Sequence, residues 1–131
     1  MIVDSSAIVA MLKQEPDAAA MLNAISLADS ATISAANYLE AGIVVDRQRN
    51  PVMSANFDRL IDRLGIEIAP VTEVQARRAR QAYRDFGKHS GHPAQLNFGD
   101  CFAYALAMES GEPLLYKGDD FAHAGLAKVI A

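Results

Sequence analysis

"MIVDSSAIVAMLKQ", residues 1–14, sets a short apolar, β-prone run against an acid and then changes its period. Met1 to Val3 read as a buried strand, Asp4 closes it, and Ser5 and Ser6 are cap-type residues that open a helix. A strand that runs through an acid straight into a helix begins a β-α-β unit. Whether the chain repeats that alternation decides its fold.

It does. "SATIS" (30–34) is a second short strand, followed by the helical "AANYLEAGIVVDRQRN" (35–50). "SANFDRLIDRLG" (54–65) has Phe57, Leu60, Ile61 and Leu64 at helical spacing and stops at Gly65, a favoured residue just past a helix end. "IEIAPV" (66–71) alternates like a third strand, and "TEVQARRARQAYRDFG" (72–87) opens with Thr72 and Gln75 at capping-box spacing. "EPDAAAMLNAISLAD" (15–29) places Pro16 as a first helical residue, "KHSGHPAQL" (88–96) is a loop, and "NFGDCFAYALAMESG" (97–111) is a helix. Its apolar residues from Phe98 to Met108 fall on almost every side, as in a helix buried all round. "PLLY" (113–116) is a fourth strand, "KGDD" (117–120) a turn and "KVI" (128–130) a last strand. Short strands alternating with helices predict an α/β fold, a parallel sheet with helices on both faces, and a site outside the carboxyl ends of the strands. The length of 131 residues suits one domain over 1–131.

Composition narrows the function. With 51% hydrophobic and 21% charged residues the chain reads as an ordinary globular protein. No apolar run reaches the roughly 18 to 20 residues of a membrane span, and no basic segment precedes an apolar one at the start, so a cytoplasmic protein without membrane contact is expected. The single cysteine, Cys101, excludes an internal disulfide and a cysteine-rich metal site, and reads as a small core residue. A net charge of −4 argues against bulk binding of nucleic acid. A local basic track is still written into 72–87: Arg77, Arg80 and Arg84, with Lys88 just beyond, can follow a phosphate backbone or form a solvated face balanced by Glu73 and Asp85. His89 and His92 read as exposed loop residues, and Tyr83 and Phe86 as core or interface residues.

Four acids stand out. Asp4 ends the first strand and Asp119 follows the fourth, which puts both at the carboxyl edge. Glu40 shares a stripe with Ala36, Leu39, Ile43 and Val44, expected to face the core, and Asp100 interrupts the apolar helix. Each has a structural reading: Asp4 and Asp100 as caps, with Asn97 and Asp100 at capping-box spacing, Asp119 and Asp120 in a turn, Glu40 paired with an arginine. Together, converging carboxylates repel unless some are protonated or a cation neutralises them. An oxygen-only set without Cys or paired His suits Mg2+ or Mn2+ better than Zn2+. Such ions activate water and stabilise the oxygens of a phosphodiester under hydrolysis. Ser6, beside Asp4, can orient a water or phosphate oxygen or cap the helix.

In "MIVDSSAIVAMLKQEP", "ISAANYLEAGIVV", "LNFGDCFAYALA" and "PLLYKGDDF", in that order and spacing, the chain resembles the PIN-domain ribonucleases, and among them the VapC-type toxins of bacterial toxin–antitoxin pairs. The resemblance covers essentially the whole chain. It implies a three-layer α/β/α fold around a short parallel sheet, an Mg2+- or Mn2+-dependent endoribonuclease, inhibition by a small cognate antitoxin, and a homodimer. On the family's pattern Asp4, Glu40 and Asp100 are the three central acids, with Asp4 and Asp100 as metal ligands. Asp119 is favoured as the fourth over its neighbour Asp120. Two other classes compete: a phosphatase- or receiver-like domain with Asp4 as phosphoryl acceptor, and a non-catalytic partner-binding protein whose acids are caps. Ser6 stands where a haloacid-dehalogenase-type phosphatase needs an acid, which disfavours the former.

Overall fold

The computed structural model describes residues 1–129. Strands β1 (Ile2–Val3), β2 (Thr32–Ser34), β3 (Glu67–Ala69) and β4 (Leu114–Leu115) form one sheet in the order β3-β2-β1-β4. All three pairings are parallel, with Ile2 opposite both Thr32 and Leu114, and Ile33 opposite Ile68. The connections are helical: α1 (Ser5–Leu12), α2 (Ala18–Leu27), α3 (Ala35–Asp46), α4 (Pro51–Arg63), α5 (Glu73–Phe86) and α6 (Phe98–Ser110).

Two residues per strand are enough to separate two cores, because successive strand side chains point to opposite faces. Val3, Ile33 and Leu115 point into a cluster with residues of α1 to α4, among them Ile8, Met21 and Phe57. Ile2 and Leu114 point the other way, into a cluster with Ala79 of α5 and Ala103 and Leu106 of α6. The result is the three-layer α/β/α arrangement that the alternation predicts.

Local signals explain the boundaries. Asn50 caps α4, accepting from the backbone N–H groups of Val52 (3.1 Å) and Met53 (3.3 Å), and Pro51 takes the first helical position. The α4 helix then stops at Leu64, and Gly65 turns the chain at φ +61°. Thr72 caps α5 by accepting from Gln75 N (3.1 Å), while the Gln75 side chain reaches Glu109 of α6 (3.3 Å). That contact, with the Phe86 and Tyr104 rings 5.6 Å apart at the other end, makes α5 and α6 antiparallel neighbours.

Several expectations are corrected. The α2 helix begins at Ala18 after Asp17, so Pro16 lies in the preceding turn. The α6 helix is not buried all round: Phe98 is 78% exposed, and Met108 is also at the surface. On α3, Leu39 and Ile43 are 60% and 53% exposed; the buried stripe is Asn37, Ala41 and Val45. Periodicity detects an apolar stripe without saying what covers it. In place of a last strand at 128–130, Lys128 makes an isolated bridge to Leu114, and Ile130 lies outside the described residues.

Replacing Asn50 by Ala removes a cap that serves two N–H groups and is expected to cost about 1 kcal/mol, read as a fall of roughly 3–5 °C in melting temperature. An unchanged melting temperature would show that the α4 terminus is held by packing alone.

Candidate active site

Asp4 reaches the carboxyl edge because β1 ends there. Its backbone N–H donates to Leu115 O (2.9 Å), fixing it in the sheet, and its Oδ2 accepts from Ser6 N (3.0 Å) to cap α1. The residue is 2% exposed, and Oδ1 is buried with no hydrogen-bond partner. An orphaned carboxylate oxygen is costly inside a protein. Burial accordingly pushes the Asp4 carboxyl up to about 6, against the lowering effect of the Ser6 bonds and with the charge of Glu40 adding to the rise.

Asp100 arrives from the far side of the sheet by a parallel device. Asn97 caps α6, accepting from Asp100 N (2.9 Å), and Asp100 Oδ2 accepts in return from Asn97 N (3.0 Å), so the capping box read in the sequence is formed. One oxygen remains for the site. Burial raises its carboxyl to about 7; the Asn97 bond opposes this, and the charges of Asp4, Asp120 and Glu40 add to it.

Glu40 enters from α3, half-buried, and two residues missed in the sequence hold it. Ser5 Oγ donates to Glu40 Oε1 (2.5 Å), and Asn37 Nδ2 donates to the same oxygen (3.3 Å) and to Gly99 O (2.9 Å). Asn37 is fully buried, one helical turn before Glu40, and its Oδ1 is also unpartnered. Gly99 supplies the space: a Cβ there would lie 2.6 Å from Glu40 Cδ, so only glycine lets the carboxylate pack against α6. A small residue next to Asp100 was the one available signal.

The remaining candidates divide. Ser6 Oγ accepts from Lys117 N (2.9 Å), so this side chain ties α1 to the turn after β4. That turn is also anchored by Lys117 Nζ on Asp17 (3.0 Å) and Glu15 (3.5 Å). Within it Asp119 and Asp120 are both exposed. The charge of Asp120 acts on Asp100, whereas that of Asp119 acts on Tyr116. Cys101 is buried, its thiol pushed up to about 11 by burial and by Asp100, as suits a core residue. His92 is half-buried against the Phe86 ring, and its Nδ1 accepts from Ala94 N (3.1 Å), which makes it a loop brace. Tyr83 is at the surface, not in the core.

Among the described residues no three His, Cys, Asp or Glu side chains converge closely enough to cage one ion. The donor set fits a hard cation held more sparingly. Asp4 and Asp100 each keep an oxygen unused by their caps, and Mg2+ takes one or two carboxylates and keeps several waters.

A PIN domain family model matches residues 1–126. The chain is 57% identical over 130 residues to a Mycobacterium tuberculosis protein named Ribonuclease VapC28, covering 99% of this chain and 98% of that one. Its fold is similar to the crystal structure of Mycobacterium tuberculosis VapC20, described as a sarcin-ricin loop cleaving toxin, with a TM-score of 0.73 over 96% and 95% of the two chains at 15% identity. It is also similar to a chain of a toxin–antitoxin complex from Klebsiella pneumoniae, with a TM-score of 0.72 over 95% and 92% at 14% identity.

Two outcomes are expected. The carboxyls of Asp4 and Asp100 are raised in the folded state, so their stabilising effect is full below about pH 4 and lost as pH rises through 6 to 7. In EDTA, Asp4→Asn, which keeps a capping oxygen, should therefore gain stability over wild type from pH 5 to pH 8, by roughly 3 kcal/mol at most; a pH-independent difference would show that Asp4 carries no such strain. Gly99→Ala should leave the fold intact by circular dichroism and displace Glu40, visible as a changed side-chain position in a crystal structure. An undisturbed Glu40 would refute the steric account.

Proposed function

The chain belongs to the PIN-domain family, and from that membership we propose that it is a metal-dependent endoribonuclease of the VapC type, the toxin of a toxin–antitoxin pair. The observation that carries the proposal is the buried, partnerless Oδ1 of Asp4, at an edge where the charges of Glu40, Asp100 and Asp120 act on one another. A fold gains nothing from such a cluster unless something positive enters it.

Asp4 and Asp100 would hold Mg2+ or Mn2+. When bound, the ion supplies activation of water and charge neutralisation at the scissile phosphodiester. Glu40, fixed through Oε1 by Ser5 and Asn37, offers Oε2 to a water or to the proton it loses. Asp119 is proposed as the fourth acid, with Asp120 beside it in the same exposed turn adding its charge at Asp100. Ser6 holds the turn that carries both.

RNA is the substrate class that fits both the relatives' names and the basic track. Arg77 is paired with Glu73 (3.3 Å), and Asp85 accepts from Gln81 (3.0 Å). Arg80, Arg84 and Lys88 are left without an ion-pair partner among the described residues. Because α5 runs antiparallel to α6, these three approach the end at which Asp100 lies, where they can take phosphates. A small cognate antitoxin is the proposed inhibitor, supported by the toxin–antitoxin complex among the structural neighbours. A homodimer is proposed through the exposed Leu39 and Ile43 of α3, an apolar stripe with Arg47 at its end. No helix is long and apolar enough to cross a membrane among the described residues, in keeping with a cytoplasmic site of action.

Incubating the protein with cellular RNA should yield discrete fragments with Mg2+ or Mn2+, none with EDTA, and at least about 100-fold less with Asp4→Asn or Asp100→Asn. The same ions should raise the melting temperature of wild type by mass action and that of the two variants less. Intact RNA under every metal would overturn the ribonuclease assignment and favour a protein that only binds partners.

A further inference from the structure

A groove of about 560 Å3 lies between α5 and α6, next to the acid site and outside it. Its floor includes the small buried residues Ala79 and Cys101; Tyr83 and Phe98, 42% and 78% exposed, flank it. Small residues beneath and aromatic rings beside make a slot for a flat group. Its rim carries Arg80, Lys88 and His89, and among the described residues no acid lines it. In a chain of net charge −4, that is a local reversal of sign.

The slot is built rather than incidental. A Cβ on Gly87 would lie 2.4 Å from the Tyr83 carbonyl oxygen and 2.5 Å from its ring, so glycine lets the chain turn closely against the whole of Tyr83. The loop after Gly87 is clamped at its base, with Lys88 N donating to Leu96 O (2.9 Å) and Leu96 N to Phe86 O (2.8 Å). His89 sits in this loop at φ +72°, a conformation that costs a non-glycine residue energy and brings it to the rim. Asn97, whose backbone N–H caps Asp100, also lines the groove, so the slot opens beside the catalytic edge.

We propose that this groove is a nucleobase subsite, in which an unpaired base of the RNA substrate stacks on Tyr83 and Phe98 while Arg80 and Lys88 hold the adjoining phosphates. It deepens the ribonuclease assignment and rests on it. Single-stranded RNA is recognised where splayed bases meet aromatic faces and their phosphates meet cations. A second copy of the chain is the poorer occupant: seated there about a twofold axis it would bring the same cations, with no acid in the lining to meet them.

The test is fluorescence anisotropy in EDTA, with a labelled single-stranded RNA octamer and an abasic ribose-phosphate octamer, over a salt series, with molecular mass measured in parallel by light scattering. Phe98→Ala and Tyr83→Ala should each weaken RNA binding about tenfold and leave the abasic affinity and the salt slope unchanged; Tyr83→Ala, which lies outside the α3 cleft that Phe98 also lines, should leave the mass unchanged too. Arg80→Gln should weaken both probes and lower the salt slope by about 1. If the aromatic variants bind RNA as wild type does, or change only in mass, the subsite is refuted, and the mass change would mark the groove as a contact between copies. Wild type that cleaves RNA while the aromatic variants are silent removes the subsite alone; wild type that neither binds nor cleaves RNA with Mg2+ or Mn2+ removes the ribonuclease assignment with it.

Discussion

The structure turns on the burial of like charges at the carboxyl edge of the sheet, and on how each acid is held there. Asp4 and Asp100 use the same solution from opposite faces. Each gives one oxygen to a helix N-terminus, through Ser6 N for α1 and Asn97 N for α6, and keeps the other free. The partial positive charge of two helix N-termini offsets part of their repulsion. Capping and chemistry are thus not rival explanations of these residues. The cap fixes the carboxylate and leaves its second oxygen uncommitted.

Glu40 has no such cap, since it lies well inside α3, and its support is correspondingly different. Ser5 and Asn37 both donate to one oxygen, and Asn37 also donates to Gly99 O, which binds α3 to α6 across the site. The close approach depends on Gly99 having no side chain. Three helices are therefore coupled at one carboxylate: α1 through Ser5, α3 through Asn37 and α6 through Gly99. A disturbance of any of them reaches Glu40 before it reaches the sheet.

This division explains what could be read from the sequence. The strands, the parallel topology and the positions of Asp4 and Asp100 follow from local rules: short apolar runs, turn residues, capping spacings. The support of Glu40 depends on a contact between residues 37 and 99, which no local pattern encodes. The outer faces of α3 and α6 were misread for a related reason. Leu39, Ile43 and Phe98 are larger and more apolar than Asn37, Ala41 and Val45, yet it is the smaller set that packs: Ala41 and Val45 enter the cluster with α1, α2 and α4, Asn37 reaches Gly99 O, and the larger three border an open cleft between α3 and α6. Size and apolarity on a helix face do not say what covers it, and on these faces the large side chains are exposed.

The distribution of charge follows the same economy. A chain of net charge −4 with an acidic site repels a polyanion at long range, so any approach of one depends on local positive charge. Lys117 is committed to Glu15 and Asp17, where it secures the turn bearing Asp119 and Asp120; Arg77 is committed to Glu73. Arg80, Arg84 and Lys88 make no ion pair among the described residues, and Arg80 and Lys88 border the groove beside Asn97 and Phe98 at the start of α6. The antiparallel packing of these two helices is what joins a basic track to an acidic edge. A parallel arrangement with the same residues would have set them farther off, from about 10 Å for Arg80 to about 20 Å at the end of the 14-residue helix.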